Sequence, residues 1–177
     1  MLKKWKQKST STRLKNNWWS YKIDLYEIPK RHNGEYHYVF TNGSSMVVPI
    51  LKNGKIILVE QFRYLNQKNS LEFPCGGVKE KSNNLKTAID ELKEETGYTS
   101  KSIDLIAEFN PFNGVTSEVC KIFLASDLKK GKSKPDKTEE FIIHEFYPKE
   151  IDDLISEGKI WDGMTLATWT LAKKYIL

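Results

Sequence analysis

The chain holds only two cysteines and three histidines. Cys75 stands beside a glycine pair and Cys120 in a strand-like run, a pattern that gives no disulfide framework and leads us to expect reduced thiols. His32, His37 and His144 lack the spacings by which imidazoles share a zinc ion, which removes the common histidine-based metal sites. No apolar run approaches the ~20 residues that cross a bilayer, and the N-terminal residues lack the apolar stretch of a secretory signal. No membrane partner is therefore expected, and a cytoplasmic location is. No acidic residue precedes Asp24, whereas Lys3, Lys4, Lys6, Lys8, Arg13 and Lys15 all do. The net charge of +5 is thus unevenly placed, and residues 1–16 read as a flexible basic arm ahead of a single domain over 17–177. Such an arm would give only weak, salt-sensitive attraction to nucleic acid, which is not expected as a partner.

What the chain has instead is a concentration of carboxylates. Leu85, Ala88, Ile89 and Leu92 recur at the spacing of a buried helical stripe, and Glu91, Glu94 and Glu95 fall on a strip beside it, one turn apart. Asn83 is placed to cap the start of this helix and Gly97 to end it in a left-handed turn. Like charges so arranged repel by a few tenths of a kcal/mol per pair, and Asp90 facing Glu94 adds another. A hard divalent cation such as Mg²⁺ or Mn²⁺ would reverse that sign, because it binds a few carboxylates and takes water and phosphate oxygens as its other ligands. On spacing alone the strip reads equally well as a solvated acidic face. The preceding segment tips the balance: Glu72-Phe73-Pro74-Cys75-Gly76-Gly77-Val78 joins a strand-like run to two glycines, where backbone turns tightly or approaches a ligand.

Strand, glycine loop and carboxylate helix together resemble the signature of the Nudix hydrolases, Gly-x5-Glu-x7-Arg-Glu-U-x-Glu-Glu-x-Gly-U, where U is aliphatic or aromatic. Here it runs from Gly76 through Ser82, Asp90-Glu91-Leu92, Glu94-Glu95 and Thr96 to Gly97-Tyr98 with its spacing intact. Ser82 replaces the family glutamate and Asp90 the family arginine; Glu80 is the nearest acid to Ser82. The run Val59 to Tyr64, the segment Glu72-Phe73-Pro74, the loop Asn110 to Glu118, and the stretches Glu139 to Ile142 and Gly158 to Thr165 are similar to ADP-ribose pyrophosphatases and related nucleoside diphosphate-sugar hydrolases.

That resemblance implies an α/β fold, an α/β/α sandwich with a mixed sheet between the carboxylate helix and the C-terminal helices. Tyr38 to Thr41, Met46 to Ile50 and Ile56 to Phe62 read as strands linked into hairpins by Asn42-Gly43 and Asn53-Gly54. Residues 149–157 and 163–175 read as the last helices, with Leu166, Trp169, Leu171 and Ala172 available for the core. The resemblance also implies roles: Glu91, Glu94, Glu95 and the carbonyl of Cys75 as metal ligands, and Arg63, Glu72, Trp18, Trp19 and Glu118 around the substrate. Glu94 and Glu95, with Glu139 or Glu140 from the late loop acting on water, would be catalytic.

The implied reaction is Mg²⁺- or Mn²⁺-dependent hydrolysis of a nucleoside diphosphate sugar, ADP-ribose first, by a homodimer. Two alternatives stand beside it. One is a nucleotide-sugar sensor that binds without turnover, motivated by Ser82 and Asp90. The other is a Nudix hydrolase for GDP-mannose, dinucleoside polyphosphates or RNA-linked nucleotides.

Overall fold

Along Ser44–Pro49 side chains point alternately to opposite faces, so that Met46 and Val48 enter one apolar cluster and Val47 another. That alternation sets the architecture, because the strand lies between two cores. The computed structural model describes residues 2–133 and 140–176. In chain order the strands are β1 (Lys6–Lys15), β2 (Ser20–Ile28), β3 (His32–Phe40), β4 (Ser44–Pro49), β5 (Ile56–Arg63), β6 (Lys68–Glu72) and β7 (Cys75–Gly77). Helix α1 (Asn84–Thr96) follows, then β8 (Tyr98–Thr99), β9 (Ser102–Phe109), β10 (Cys120–Ser126), β11 (Lys129–Lys130) and β12 (Ile142–Phe146). Helices α2 (Pro148–Ser156) and α3 (Gly163–Ala172) and a 3₁₀ turn (Lys173–Tyr175) complete the order.

The central sheet runs β7-β4-β10-β9, with β4 and β10 parallel and the other pairs antiparallel. Beside it lies the antiparallel sheet β12-β5-β6. One core cluster joins Met46, Val48, Ile56, Leu58, Phe73 and Ile122 to Ile151, Ile160, Trp169 and Ala172. The other packs Val47, Ile57, Phe123 and Ala125 on Ala88 and Leu92 of α1. Helices thus cover both faces, as the expected α/β sandwich with a mixed sheet requires. Leu166 and Leu171 also pack on the first cluster, half-buried.

Three expectations are corrected. Residues 6–15 are not a mobile arm: β1 pairs with β2 along its length, and Asp24 accepts hydrogen bonds from Gln7 and Thr10 at 2.7 Å each. Alternating threonines and serines supplied strand character that the lysines obscured. The turns Asn42-Gly43 and Asn53-Gly54 do not close regular hairpins. After Asn42-Gly43 the chain leaves the separate sheet β1-β2-β3 for the central one, and β4 and β5 belong to different sheets, with a lone Ile50–Ile56 bridge beside the Asn53-Gly54 turn. Gly43 has φ of 89° and lies against the Val119 carbonyl, which a Cβ would approach to 2.7 Å. The turn is held by Ser44 N donating to Val119 O (3.1 Å) and Val78 N to Gly43 O (2.9 Å).

Finally, Leu85 and Ile89 do not form part of the buried stripe of α1; they are 45% and 46% exposed. The inward face is Thr87, Ala88, Leu92, Glu95 and Thr96. The helix is rolled so that carboxylates, rather than two of its apolar residues, face the sheet. Its ends are as expected: Asn83 accepts from Lys86 N, and Gly97 takes φ of 74° with its amide on Lys93 O.

Candidate active site

Gly76 fixes the relation between loop and helix. A Cβ there would lie 1.9 Å from Glu91 Oε1 and 2.2 Å from its Cδ, so the Glu91 carboxylate rests in the space that only glycine leaves. Nothing approaches the corresponding position at Gly77. At the helix start, Ser45 Oγ donates to Asn84 O (2.9 Å) and Asn84 Nδ2 to Ser44 O (2.9 Å), locking α1 to β4.

Above this joint opens a cavity of about 650 Å³. Its wall includes Cys75, Gly76, Glu91, Glu94 and Glu118, with Trp18 and Trp19 from the β1–β2 turn and Met164 from α3. Asn16 positions the tryptophans: its side-chain oxygen accepts from both Trp18 N and Trp19 N at 2.8 Å. Glu118 accepts from Ser44 Oγ at 2.6 Å, which fixes one more carboxylate on the wall. Glu95 is buried one turn from Glu91. A hydrogen bond with Cys120, then burial, then the nearby charges of Cys120, Glu95 and Glu91 hold the Cys75 thiol well above its usual range. Such a thiol stays protonated and is a poor nucleophile.

Arg63 and Glu72, expected around the substrate, do not line this cavity. Glu72 is 2% exposed and binds Arg63 through two oxygens: Arg63 Nε donates at 2.7 Å, and Nη2 makes the second contact. That bidentate fork raises the Arg63 pKa further. Asp90 pairs with Lys86 at 2.7 Å, along the helix surface. Ser82 lies in the turn before α1, its amide on Lys79 O. Glu140 is exposed just ahead of β12, and Glu139 lies outside the described residues. The sequence did not single out Asn17, Ser44, Lys79 or Met164, which also line the cavity. Only Ser44, a polar residue opening an apolar strand, carried a visible signal.

The donor set suits a hard divalent cation: carboxylates of Glu91, Glu94 and Glu95 beside a backbone carbonyl at Cys75. Among the described residues no group of three or more His, Cys, Asp or Glu side chains is arranged to hold a metal ion.

The comparisons agree with this geometry. A family model of the NUDIX domain matches residues 41–162. The chain is 32% identical over 149 residues to the ADP-ribose pyrophosphatase of Bacillus subtilis (strain 168), covering 81% of this chain and 80% of that protein. It is 29% identical over 146 residues to a methanol dehydrogenase activator of Bacillus methanolicus, with 81% and 79% covered. A solved structure described as that of an ADP compounds hydrolase superposes with a TM-score of 0.85 over 99% of this chain and 96% of that one, at 18% identity, a likeness of fold. Loop, carboxylate helix, sandwich and sequence all point the same way: the chain belongs to the Nudix family and is a Nudix hydrolase.

Proposed function

We propose that the protein hydrolyses the diphosphate of a nucleoside diphosphate sugar, ADP-ribose first, to a nucleoside monophosphate and a sugar phosphate. The observation that carries this reading is the cavity itself, which is lined by Glu91, Glu94 and Glu118 together with Trp18 and Trp19. The carboxylates suit a cation-neutralised diphosphate and the indole rings a flat base. The similarity to the Bacillus subtilis ADP-ribose pyrophosphatase supports the same substrate class.

In this reading Mg²⁺ or Mn²⁺, when bound, draws charge from the phosphate oxygens and makes water easier to deprotonate. Glu91, Glu94, Glu95 and the Cys75 carbonyl would hold the ion, and Gly76 leaves the space in which the Glu91 carboxylate rests. Trp18 and Trp19 stack on the base, held in place by Asn16. Glu72 consumes Arg63 Nε and Nη2, which leaves Nη1 for a phosphate oxygen. Glu140 or Glu139 takes the proton of the attacking water, and Glu118, fixed by Ser44, orients the substrate's far end. The working unit is a homodimer formed through the sheet β1-β2-β3, whose outer strand is almost wholly exposed.

A panel of ADP-ribose, GDP-mannose, UDP-glucose, dinucleoside polyphosphates and nucleoside triphosphates, with and without Mg²⁺, tests the reading. ADP-ribose should be turned over fastest, and Glu94→Gln should lower kcat by about 10²–10³, the scale of losing one transition-state charge stabiliser. Binding without turnover of any compound would put the sensor reading first. That reading draws on Asp90, which is engaged by Lys86. Light scattering on the eluting peak reads the mass of the assembly.

A further inference from the structure

The active-site cavity continues into a second one of about 640 Å³, and the two share Asn17, Trp18, Trp19, Thr41, Asn42 and Lys79. Their electrostatics are opposite. The first is lined by Glu91, Glu94 and Glu118; the second adds Lys15 and Lys22 to the shared Lys79, against a single carboxylate, Glu80. Among the described residues none of these three lysines takes part in an ion pair, and Lys22 Nζ is held 3.8 Å above the Phe40 ring instead. The tryptophan pair stands on the boundary and belongs to both walls.

We infer that this second cavity is a subsite for a phosphate monoester carried on the nucleoside ribose. This deepens the proposed function and rests on it for the placement of the base. With the diphosphate at the carboxylates and the base on the tryptophans, a group attached to the nucleoside ribose on the side away from the metal enters the cavity of Lys15, Lys22 and Lys79. A phosphate monoester carries close to two charges at neutral pH, and ammonium groups serve it as point charges that need no fixed fork. A neutral ribose would leave those lysines solvated and gain nothing from them. The substrate class so defined is a 2′- or 3′-phosphorylated nucleoside diphosphate sugar or dinucleotide.

Calorimetric titration of the full-length protein, without divalent metal, with AMP, 2′,5′-ADP and 3′,5′-ADP tests this directly. One bisphosphate should bind about tenfold more tightly than AMP, the scale of one or two partly exposed charge contacts, and its identity names the hydroxyl concerned. The preference should fall to within about twofold in Lys15→Ala/Lys22→Ala and survive in Lys101→Ala, which removes a charge from another surface. Melting temperatures of all variants confirm that they fold. Equal affinity for the three nucleotides, no measurable binding of any, or a preference untouched by the double variant would overturn the subsite. In parallel, kcat/KM for ADP-ribose and its 2′-phosphate separates the two readings. Hydrolysis of ADP-ribose with no bisphosphate preference leaves the hydrolase and removes the subsite. A lysine-dependent preference without hydrolysis leaves the subsite and removes the proposed reaction.

Discussion

Replacing Gly76 by alanine should damage the active site without damaging the fold. Its φ is outside the left-handed region, so alanine fits the backbone, and the three atoms nearest to an added Cβ all belong to the Glu91 side chain. An added Cβ at 1.9 Å from Oε1 forces that carboxylate back by about 1.5 Å to reach ordinary contact near 3.4 Å. Misplacing a catalytic group by ~1 Å can cost about 10²-fold in rate, so kcat for ADP-ribose should fall about a hundredfold. The melting temperature should change by only a few degrees, because the carboxylate moves toward the cavity rather than into the core. Gly77→Ala is the matched control: it meets nothing within 4 Å and should retain activity to within about twofold. Shortening the acid in Gly76→Ala/Glu91→Asp withdraws the carboxylate by roughly one C–C bond and should recover part of the loss. Full activity in Gly76→Ala, or equal losses in the two alanine variants, would refute the claim that this glycine exists to seat Glu91.

Trp19→Ala should raise KM for ADP-ribose about tenfold with kcat largely kept, the worth of one base stacked on an aromatic ring; an unchanged KM would remove the ring from the site. Arg63→Ala leaves Glu72 buried and without its main counter-charge. It should lower unfolding stability by about 2 kcal/mol in urea titrations, and Arg63→Ala/Glu72→Leu should recover most of that, since both charges are gone. Asp152 joins α2 to α3 by accepting from Lys173 Nζ at 2.6 Å and Trp169 Nε1 at 2.8 Å, contacts that lower its pKa. A lowered folded-state pKa means that this contribution is full above the unfolded value near 4 and is lost as pH falls through the lower one. Asp152→Asn should therefore cost about 0.5–1 kcal/mol from pH 5 to 8, shrinking toward zero in acid; a constant difference down to pH 2 would contradict the pairing.

Much of this was readable in the residues because the relevant signals are local. A capped helix between Asn83 and Gly97 follows from one side chain and a φ that glycine accepts. The alternation on β4 follows from strand period alone. What could not be read was rotation and partnership. Leu85 and Ile89 look core-facing by periodicity, yet the contacts of Asn84 with Ser44 and Ser45 and of Glu91 with Gly76 roll the helix the other way. Asn42-Gly43 looks like a hairpin turn, and only the distant Val119 and Val78 decide that it redirects the chain to another sheet. The lysines of residues 6–15 suggested an arm because charge is visible in sequence and the pairing of β1 with Ser20–Ile28 is not. In the site, Glu91 and Glu94 were legible as a helical strip. The convergence of Trp18 and Trp19 with them depends on how one sheet is set against another.

The chain crosses from its N-terminal sheet at Phe40 to the central sheet at Ser44 through three residues, and the family match begins at residue 41. The tryptophans and the carboxylates that line one cavity are thus encoded in separate blocks that meet only in space. A duplicated copy could exchange residues 6–40 wholesale and inherit the bond-breaking machinery untouched. Divergence of substrate choice in such a scaffold needs no compromise with catalysis, because mutation can work on one block while selection holds the other still.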